Sequence, residues 1–172
     1  MALGLLIGLG LALAPEASAS PVVVPPYKVD KHWSYFRNQD NCSAAAIQPS
    51  NNAILLMAYD DREKAFSITF STDRTSAMNE GDQRVFDLRL HRPAGVLDDG
   101  WEGVTFTVST MIGSYAMMTS QWLDIPASRD FAEMNAVDFI AHGRSAGYFR
   151  MRNPNLAVKE MIRCARAISR KP

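Results

Sequence analysis

The pentapeptide at residues 143–147, Gly-Arg-Ser-Ala-Gly, has the G-x-S-x-G spacing of the nucleophile elbow of serine esterases. In that elbow a strand precedes the serine and a helix follows it, so that a sharp turn exposes the hydroxyl group. Here helical periodicity precedes Ser145 and strand periodicity follows it. The chain's three histidines, His32, His91 and His142, all precede Ser145, whereas the general base of those enzymes follows the serine. The pattern therefore favours an ordinary turn over an esterase site.

Acidic side chains are grouped in two predicted loops. Asp60 and Asp61 belong to the first loop, and Asp98 and Asp99 to the second, not far along the chain from His91. A metal site needs three or four converging ligands, some of them closely spaced in sequence, and no two histidines are so spaced. We therefore predict no metal site. Acids from separate loops, such as Asp61 and Asp98, leave open a hydrolase with paired carboxylates, because their separation is set only by the tertiary fold.

Met111, Met117 and Met118, with Trp122 nearby, include the soft thioether ligands that copper sites use. At strand spacing they are better explained as side chains that fill gaps in a core. We predict no cofactor. The chain has 18 basic and 18 acidic side chains, a balance that does not favour a nucleic-acid partner.

The N-terminal residues resemble a signal peptide. Residues 3–14 are apolar without interruption, and Ala17-Ser18-Ala19 is a small-residue cleavage site of the A-x-A type. The apolar run is shorter than the roughly 17–25 residues that a membrane-spanning helix needs. We therefore expect cleavage after residue 19, no transmembrane segment in the mature chain, and a periplasmic or extracellular location.

The two cysteines of the chain are Cys42 and Cys164. Two cysteines in an exported protein usually form one disulfide bond, because the compartment is oxidising. Such a bond would close a loop of more than 100 residues and stabilise the fold by up to about 4.7 kcal/mol. The alternative is a pair of buried free thiols. No histidine has a recognisable relation to either cysteine, which argues against a catalytic thiol.

The elements that must position these residues are mostly strands. A Pro-rich, extended lead-in over residues 20–31 precedes a single β-rich domain over 32–172, which a C-terminal helix closes. Residues of alternating polarity bounded by turn residues predict strands at 32–38, 42–48, 53–60, 65–72, 84–91, 103–110 and 114–120. Helical spacing predicts helices over 128–142, ending at Gly143, and 155–169, with a strand at 147–152 between them. We predict an α+β fold that is mainly β: an antiparallel β-sandwich or curled sheet of about seven strands with two helices near the C-terminus.

The order of these parts resembles a known group of exported proteins. A tryptophan-bearing first strand is followed by Cys42, a meander of strands and the closing sequence DFIAHGRSAGYFRMRNPNLAVKEMIRC. This arrangement is similar to the invasion-associated locus B group of alphaproteobacteria. The resemblance implies an exported β-rich domain at the cell envelope and supplies no catalytic residues. Cys164 in the last helix departs from the group's pattern.

These observations favour a non-enzymatic exported domain that binds a protein or a component of the cell envelope. The alternative is a hydrolase that uses loop carboxylates. Cys42 lies at the start of a predicted strand and Cys164 on the flank of the apolar stripe of the last predicted helix. We therefore expect their disulfide bond to fasten that helix to the N-terminal part of the sheet, with Cα atoms roughly 4.4–6.8 Å apart.

Overall fold

A computed structural model describes residues 25–48, 52–73, 75, 77–93, 95–96 and 100–170. The elements in chain order are β1 (Lys28–Val29), β2 (Ser34–Arg37), β3 (Cys42–Ile47), β4 (Ile54–Asp60), β5 (Ala65–Asp73), β6 (Gln83–Arg92), β7 (Gly95–Val96), β8 (Trp101–Ile112), β9 (Tyr115–Ser120), β10 (Leu123–Asp124), α1 (Ile125–Glu133), β11 (Ala136–Ala141), β12 (Arg144–Arg150) and α2 (Pro154–Ser169). The predicted signal peptide lies outside the described residues. Part of the predicted lead-in belongs to the sheet, because β1 pairs with β2.

The strands of the described residues form one sheet, in which all neighbouring strands are antiparallel. The order across the sheet is β1-β2-β3-β4-β5-β9-β8-β6-β11-β12, with β10 paired to β5 and β7 paired to β6. The predicted fold class is confirmed: the chain is mainly β, antiparallel, with two helices near the C-terminus. The strand number is higher than predicted, in part because β1, β7 and β10 have two residues each and show no alternation.

The sheet is curled so strongly that its distant strands meet. Phe70 of β5 stacks on Phe139 of β11, with ring centroids 3.8 Å apart, although three strands separate β5 from β11 in the sheet order. Phe70 also contacts Phe149 of β12, at 6.1 Å between centroids. Phe86 and Phe106 complete this cluster of five rings. Each buried ring contributes about 1.5–3 kcal/mol through burial, which makes the cluster a major part of the core.

Alternating polarity explains which face of each strand is buried. In β6, Phe86 and Leu88 point into the core, whereas Val85 and Arg89 are exposed. The same period places Phe66, Ile68 and Phe70 of β5 inside. Because successive side chains of a strand point to opposite faces, this pattern also fixes the register of the strand pairs.

The two helices pack together over part of the buried face of the sheet. α2 contacts β2, β3 and β4, and α1 contacts β5, β6 and β10. α2 begins at Pro154, whose fixed φ suits the first turn of a helix. Its buried stripe contains Ala157, Val158, Met161, Cys164 and Ala165. The prediction of a helix over 155–169 is confirmed.

The predicted helix over 128–142 is wrong in its second half. α1 ends at Glu133, and residues 136–141 form β11 between β6 and β12. Phe139 and Ile140 of this strand are both buried, so the strand lacks the alternation that identifies a half-exposed strand. Gly143 is not a helix cap. With His142 it forms a two-residue hairpin turn, and both residues have positive φ, as a type I′ turn requires.

The free edge of β12 is covered by side chains from β5 and from the segments next to β2 and β3. The carbonyl oxygen of Ala146 accepts a hydrogen bond from Thr72 Oγ1 at 2.9 Å, and that of Arg150 accepts one from Gln48 Nε2 at 2.8 Å. Trp33 Nε1 donates to the carbonyl oxygen of Arg152 at 2.7 Å. These bonds satisfy backbone acceptors that an edge strand otherwise presents to another chain. We call this line of contacts the seam.

Candidate functional site

A cleft of about 500 Å³ lies at one end of the seam and carries mostly basic side chains. We call it the basic cleft, and its lining residues are Lys31, His32, Ala46, Ile47, Gln48, Arg150 and Arg152. They come from three distant parts of the chain: the loop before β2, the end of β3, and the end of β12. The curl of the sheet is what brings these parts together.

Hydrogen bonds of the seam fix the backbone of the two arginines. Gln48 Nε2 bonds to the carbonyl oxygen of Arg150, and Trp33 Nε1 to that of Arg152. Trp33 is almost fully buried, so its ring anchors the end of β12 against β2. Because the peptide groups are held in this way, both arginine side chains extend from a rigid edge and remain exposed.

The loop that carries Lys31 and His32 is held by Asp30. The Asp30 carboxylate accepts hydrogen bonds from the backbone N–H groups of His32 and Trp33, both at 2.8 Å, and from the hydroxyl group of Tyr35 at 2.8 Å. Burial acts to raise the pKa of Asp30, but these three donors outweigh it and hold the pKa below its usual value. Burial and the neighbouring Asp30 carboxylate raise the pKa of Tyr35, so its hydroxyl group stays protonated as a donor.

Among the described residues that line the basic cleft, none is acidic. Ion pairs occur elsewhere on the described surface, but none of them includes Lys31, Arg150 or Arg152. Three unpaired cations around one cleft attract anions and repel other cations. Ile47, with 63% of its surface exposed, adds an apolar contact at the rim. Chemically, the cleft suits a phosphate or carboxylate group attached to an apolar moiety.

The predicted disulfide bond is confirmed. Cys42, the first residue of β3, is bonded to Cys164 of α2, and their Cα atoms are 6.0 Å apart. The distance lies within the expected range. As predicted, the bond fastens the last helix to the N-terminal part of the sheet.

Ser145 lies within β12, one residue past its start, and not on a strand-to-helix turn. The order predicted for its surroundings, helix then strand, is wrong, because β11 precedes the turn. The Ser145 hydroxyl group donates a 2.5 Å hydrogen bond to Asp138 Oδ1 on β11. No histidine takes the position of a general base toward Ser145 in the described hydrogen bonds. The nucleophile-elbow geometry is therefore absent at this serine.

The acidic loop residue Asp61 has a structural set of partners. Its carboxylate accepts hydrogen bonds from Lys64 Nζ at 2.7 Å and from Ser169 Oγ at 2.9 Å, and Arg166 lies 3.7 Å away. Burial acts to raise the pKa of Asp61, but these donors and charges outweigh it and lower the pKa. Asp61 thus links the turn after β4 to the end of α2. Asp98, its proposed catalytic partner, lies outside the described residues.

The other candidates from the sequence do not converge. His32 lies in the basic cleft, whereas the His91 ring packs against Tyr148 of β12, with centroids 5.6 Å apart. Across the described ranges, no three His, Cys, Asp or Glu side chains are close enough to hold a metal ion. Met118 is fully buried, as expected of a core residue, and Trp122 is half exposed.

The basic cleft is not predictable from the sequence. A local signal exists in Arg150-Met151-Arg152, where two arginines flank a buried residue and therefore share a face of the chain. Nothing in the sequence relates this tripeptide to Lys31, 119 positions or more away, because the curl of the sheet brings them together.

Within the described part of the chain, no helix has the length and apolarity required to cross a membrane. Comparison of the sequence with protein-family models and with curated proteins, and of the fold with solved structures, found no match.

Proposed function

We propose that this chain is a non-enzymatic exported domain whose basic cleft binds an anionic component of the cell envelope. The observation that carries the proposal is the set of three cations, Lys31, Arg150 and Arg152, around one cleft, where no described residue pairs with them and no described lining residue is acidic. The exposed side chain of Ile47 beside them favours an amphiphile over a bare inorganic anion.

Export is supported by two independent features. Residues 3–14 are continuously apolar and precede a small-residue cleavage site. A disulfide bond joins Cys42 to Cys164, and such bonds persist mainly in oxidising compartments. The location proposed is the periplasm or the extracellular medium, at the envelope. The similarity of the sequence pattern to the invasion-associated locus B group supports the same location.

The hydrolase alternative has less support. It required carboxylates free to act on a substrate, but the Asp61 carboxylate is engaged with Lys64, Ser169 and Arg166. This engagement favours a structural role for Asp61. We therefore retain the binding function as the proposal.

The experiment is a titration of the purified, disulfide-bonded protein with vesicles of phosphatidylglycerol, using vesicles of phosphatidylcholine as the neutral comparison. We expect saturable binding to the anionic vesicles. An arginine or lysine close to an anionic membrane contributes about 1 kcal/mol, so the double variant Arg150→Gln/Arg152→Gln should bind about 10–30-fold more weakly. Binding is measured by co-sedimentation at fixed ionic strength, because exposed charges are screened by salt.

The matched control is the double variant Arg129→Gln/Arg170→Gln. Both of these arginines are exposed, form no ion pair with a described residue, and lie outside the cleft. The control removes the same net charge and should retain most of the affinity. Equal losses in both double variants would show a general charge effect and would overturn the basic cleft as the binding site. The proposal would also be overturned if the protein bound neither phosphatidylglycerol vesicles nor soluble glycerol phosphate.

A further inference from the structure

A second cleft, of about 280 Å³, lies between α1 and the strands β8 and β10. Its walls are almost entirely apolar, which distinguishes it from the basic cleft. We call it the apolar cleft, and its wall residues are Trp101, Val104, Leu123, Pro126 and Ala127. The remaining two lining residues are the acids Asp124 and Asp130. Its volume approaches the lower end of the range for small-molecule sites, about 300–1,000 Å³.

The apolar cleft follows from the way α1 begins. β10 ends at Asp124, and the helix begins at the next residue, with Pro126 in its first turn. The first turns of α1 and Trp101 of β8 line the same cleft. The Trp101 ring contacts Phe131 of α1, with centroids 5.6 Å apart, and this contact holds the indole in the wall of the cleft.

Neither carboxylate in the apolar cleft forms an ion pair with a cationic side chain of the described residues. Asp124 occupies the N-cap position of α1, but its side chain makes no capping hydrogen bond. Asp130 is half-buried. None of the ion pairs or side-chain hydrogen bonds formed among the described residues includes the Asp130 carboxylate. An anionic group partly removed from water beside apolar walls is costly unless a cation accompanies it.

We propose that the apolar cleft binds a small organic cation of the alkylammonium class, with its alkyl groups against the apolar walls. The indole face of an accessible tryptophan attracts such cations, most strongly when they are partly desolvated. Asp124 and Asp130 supply the complementary charge.

Two other classes of ligand fit less well. A divalent metal ion needs six to eight oxygen ligands or several waters, and the walls around these two carboxylates offer hydrocarbon. A neutral apolar molecule would fill the same space but would leave Asp130 without a counter-charge and further from water. The volume of the cleft, the negative charge of its two acids and its apolar walls together therefore favour an alkylammonium ion. This cationic ligand has the opposite charge to the anionic ligand proposed for the basic cleft, so the two proposals are independent.

The test compares choline with 3,3-dimethyl-1-butanol, which has the same shape without the positive charge. Binding to the full, disulfide-bonded protein is followed by the NMR shift of the Trp101 indole N–H. We expect saturable binding of choline and at least about tenfold weaker binding of the neutral alcohol. Equal affinities for the two compounds would overturn the proposal in favour of simple apolar binding. The absence of saturable binding of choline would overturn it as well.

The decisive variants are Asp130→Asn and Asp124→Asn, which keep the size of each side chain. We expect each to weaken choline binding several-fold, and Asp130→Asn the more strongly because Asp130 is the less exposed acid. The matched control is Asp73→Asn, an exposed acid outside the cleft, which should leave choline binding unchanged. If the control and the cleft variants change the affinity equally, the effect is one of net charge and the assignment of the site fails.

Discussion

Cys164 of α2 and Cys42 of β3 are joined across 122 positions of sequence, with 6.0 Å between their Cα atoms. The bond therefore connects the last helix to a strand near the beginning of the domain. Both cysteines are buried, and both belong to the main hydrophobic core. The cross-link and the core packing act on the same contact between α2 and the sheet.

We predict that replacing either cysteine by serine lowers the free energy of unfolding by about 2–5 kcal/mol, the usual cost of losing a native disulfide bond in a small secreted domain. The loss arises because the unfolded chain regains freedom that the large covalent loop restricts. Urea unfolding of the oxidised protein and its variants, monitored by circular dichroism, measures the change.

The double variant Cys42→Ser/Cys164→Ser provides the control. Each single substitution already removes the bond, so the double variant should lose a similar amount rather than the sum. Additive losses would mean that the two residues act as separate core side chains and not as one cross-link.

The strands of strict alternation and the last helix were predictable from the sequence. β5 and β6 carry large apolar side chains at every second position, and α2 has an apolar stripe at helical spacing. β11 was not predictable, because both of its faces are largely buried and its apolar residues continue the helical spacing of α1. A turn was predicted at Gly143, but as the end of a helix and not as a hairpin, since a glycine after a helical pattern is also a helix-capping signal.

Of the candidate sites, the disulfide bond was predictable from the sequence and the basic cleft was not. Cysteine count and compartment were sufficient to predict the bond between Cys42 and Cys164, because only one intramolecular pairing was possible. The basic cleft depends on the curl that brings Arg150 of β12 to Lys31. Across that curl, Phe70 packs against Phe139 in the core. No local pattern records which aromatic rings meet in the core.

The network around Asp61 makes stability depend on pH. In the folded protein the pKa of Asp61 is lowered, whereas an unfolded aspartate titrates near about 3.9. Between the unfolded and the folded pKa, the unfolded chain binds a proton more readily than the folded protein does. The contribution of Asp61 to stability is therefore complete above the unfolded pKa and is lost as the pH falls through the folded pKa. We expect Asp61→Asn to cost about 1–3 kcal/mol at pH 7 and progressively less in acid.

Urea unfolding at several pH values between neutrality and strong acid tests this prediction. Glu63→Gln is the matched control, because Glu63 lies on the same turn and is exposed. A difference between Asp61→Asn and the unsubstituted protein that stays constant with pH would show that the carboxylate charge does not matter. The expected result is a difference that narrows as the pH falls.

Gly147 marks a close approach between β12 and the core. A Cβ atom at this position would lie 2.8 Å from Cε2 of Phe149 and 3.5 Å from Cδ2 of Phe70. Gly147→Ala should therefore push the Phe149 ring off its position and destabilise the fold by about 1–3 kcal/mol, the usual cost of overpacking.

The rescue experiment for Gly147→Ala is a double-mutant cycle with Phe149→Leu, which removes the ring that the new methyl group would meet. We expect Gly147→Ala to cost less in that background than in the native one, a coupling of the kind seen between residues in contact. Equal costs in both backgrounds would show that the glycine is needed for its backbone and not for space.

One hydrogen bond of the seam joins Thr72 of β5 to β12. Thr72→Val keeps the shape of the side chain but removes the hydroxyl group that donates to the carbonyl oxygen of Ala146 at 2.9 Å. We expect a loss of about 0.5–1.5 kcal/mol in the free energy of unfolding, the net value of a typical hydrogen bond. Thr107→Val is the matched control, since Thr107 of β8 is also partly buried and its hydroxyl group takes part in no hydrogen bond to a described residue. A loss at Thr107 as large as that at Thr72 would attribute the effect to the valine itself, and the hydrogen bond from Thr72 would then contribute nothing to holding β12 in place.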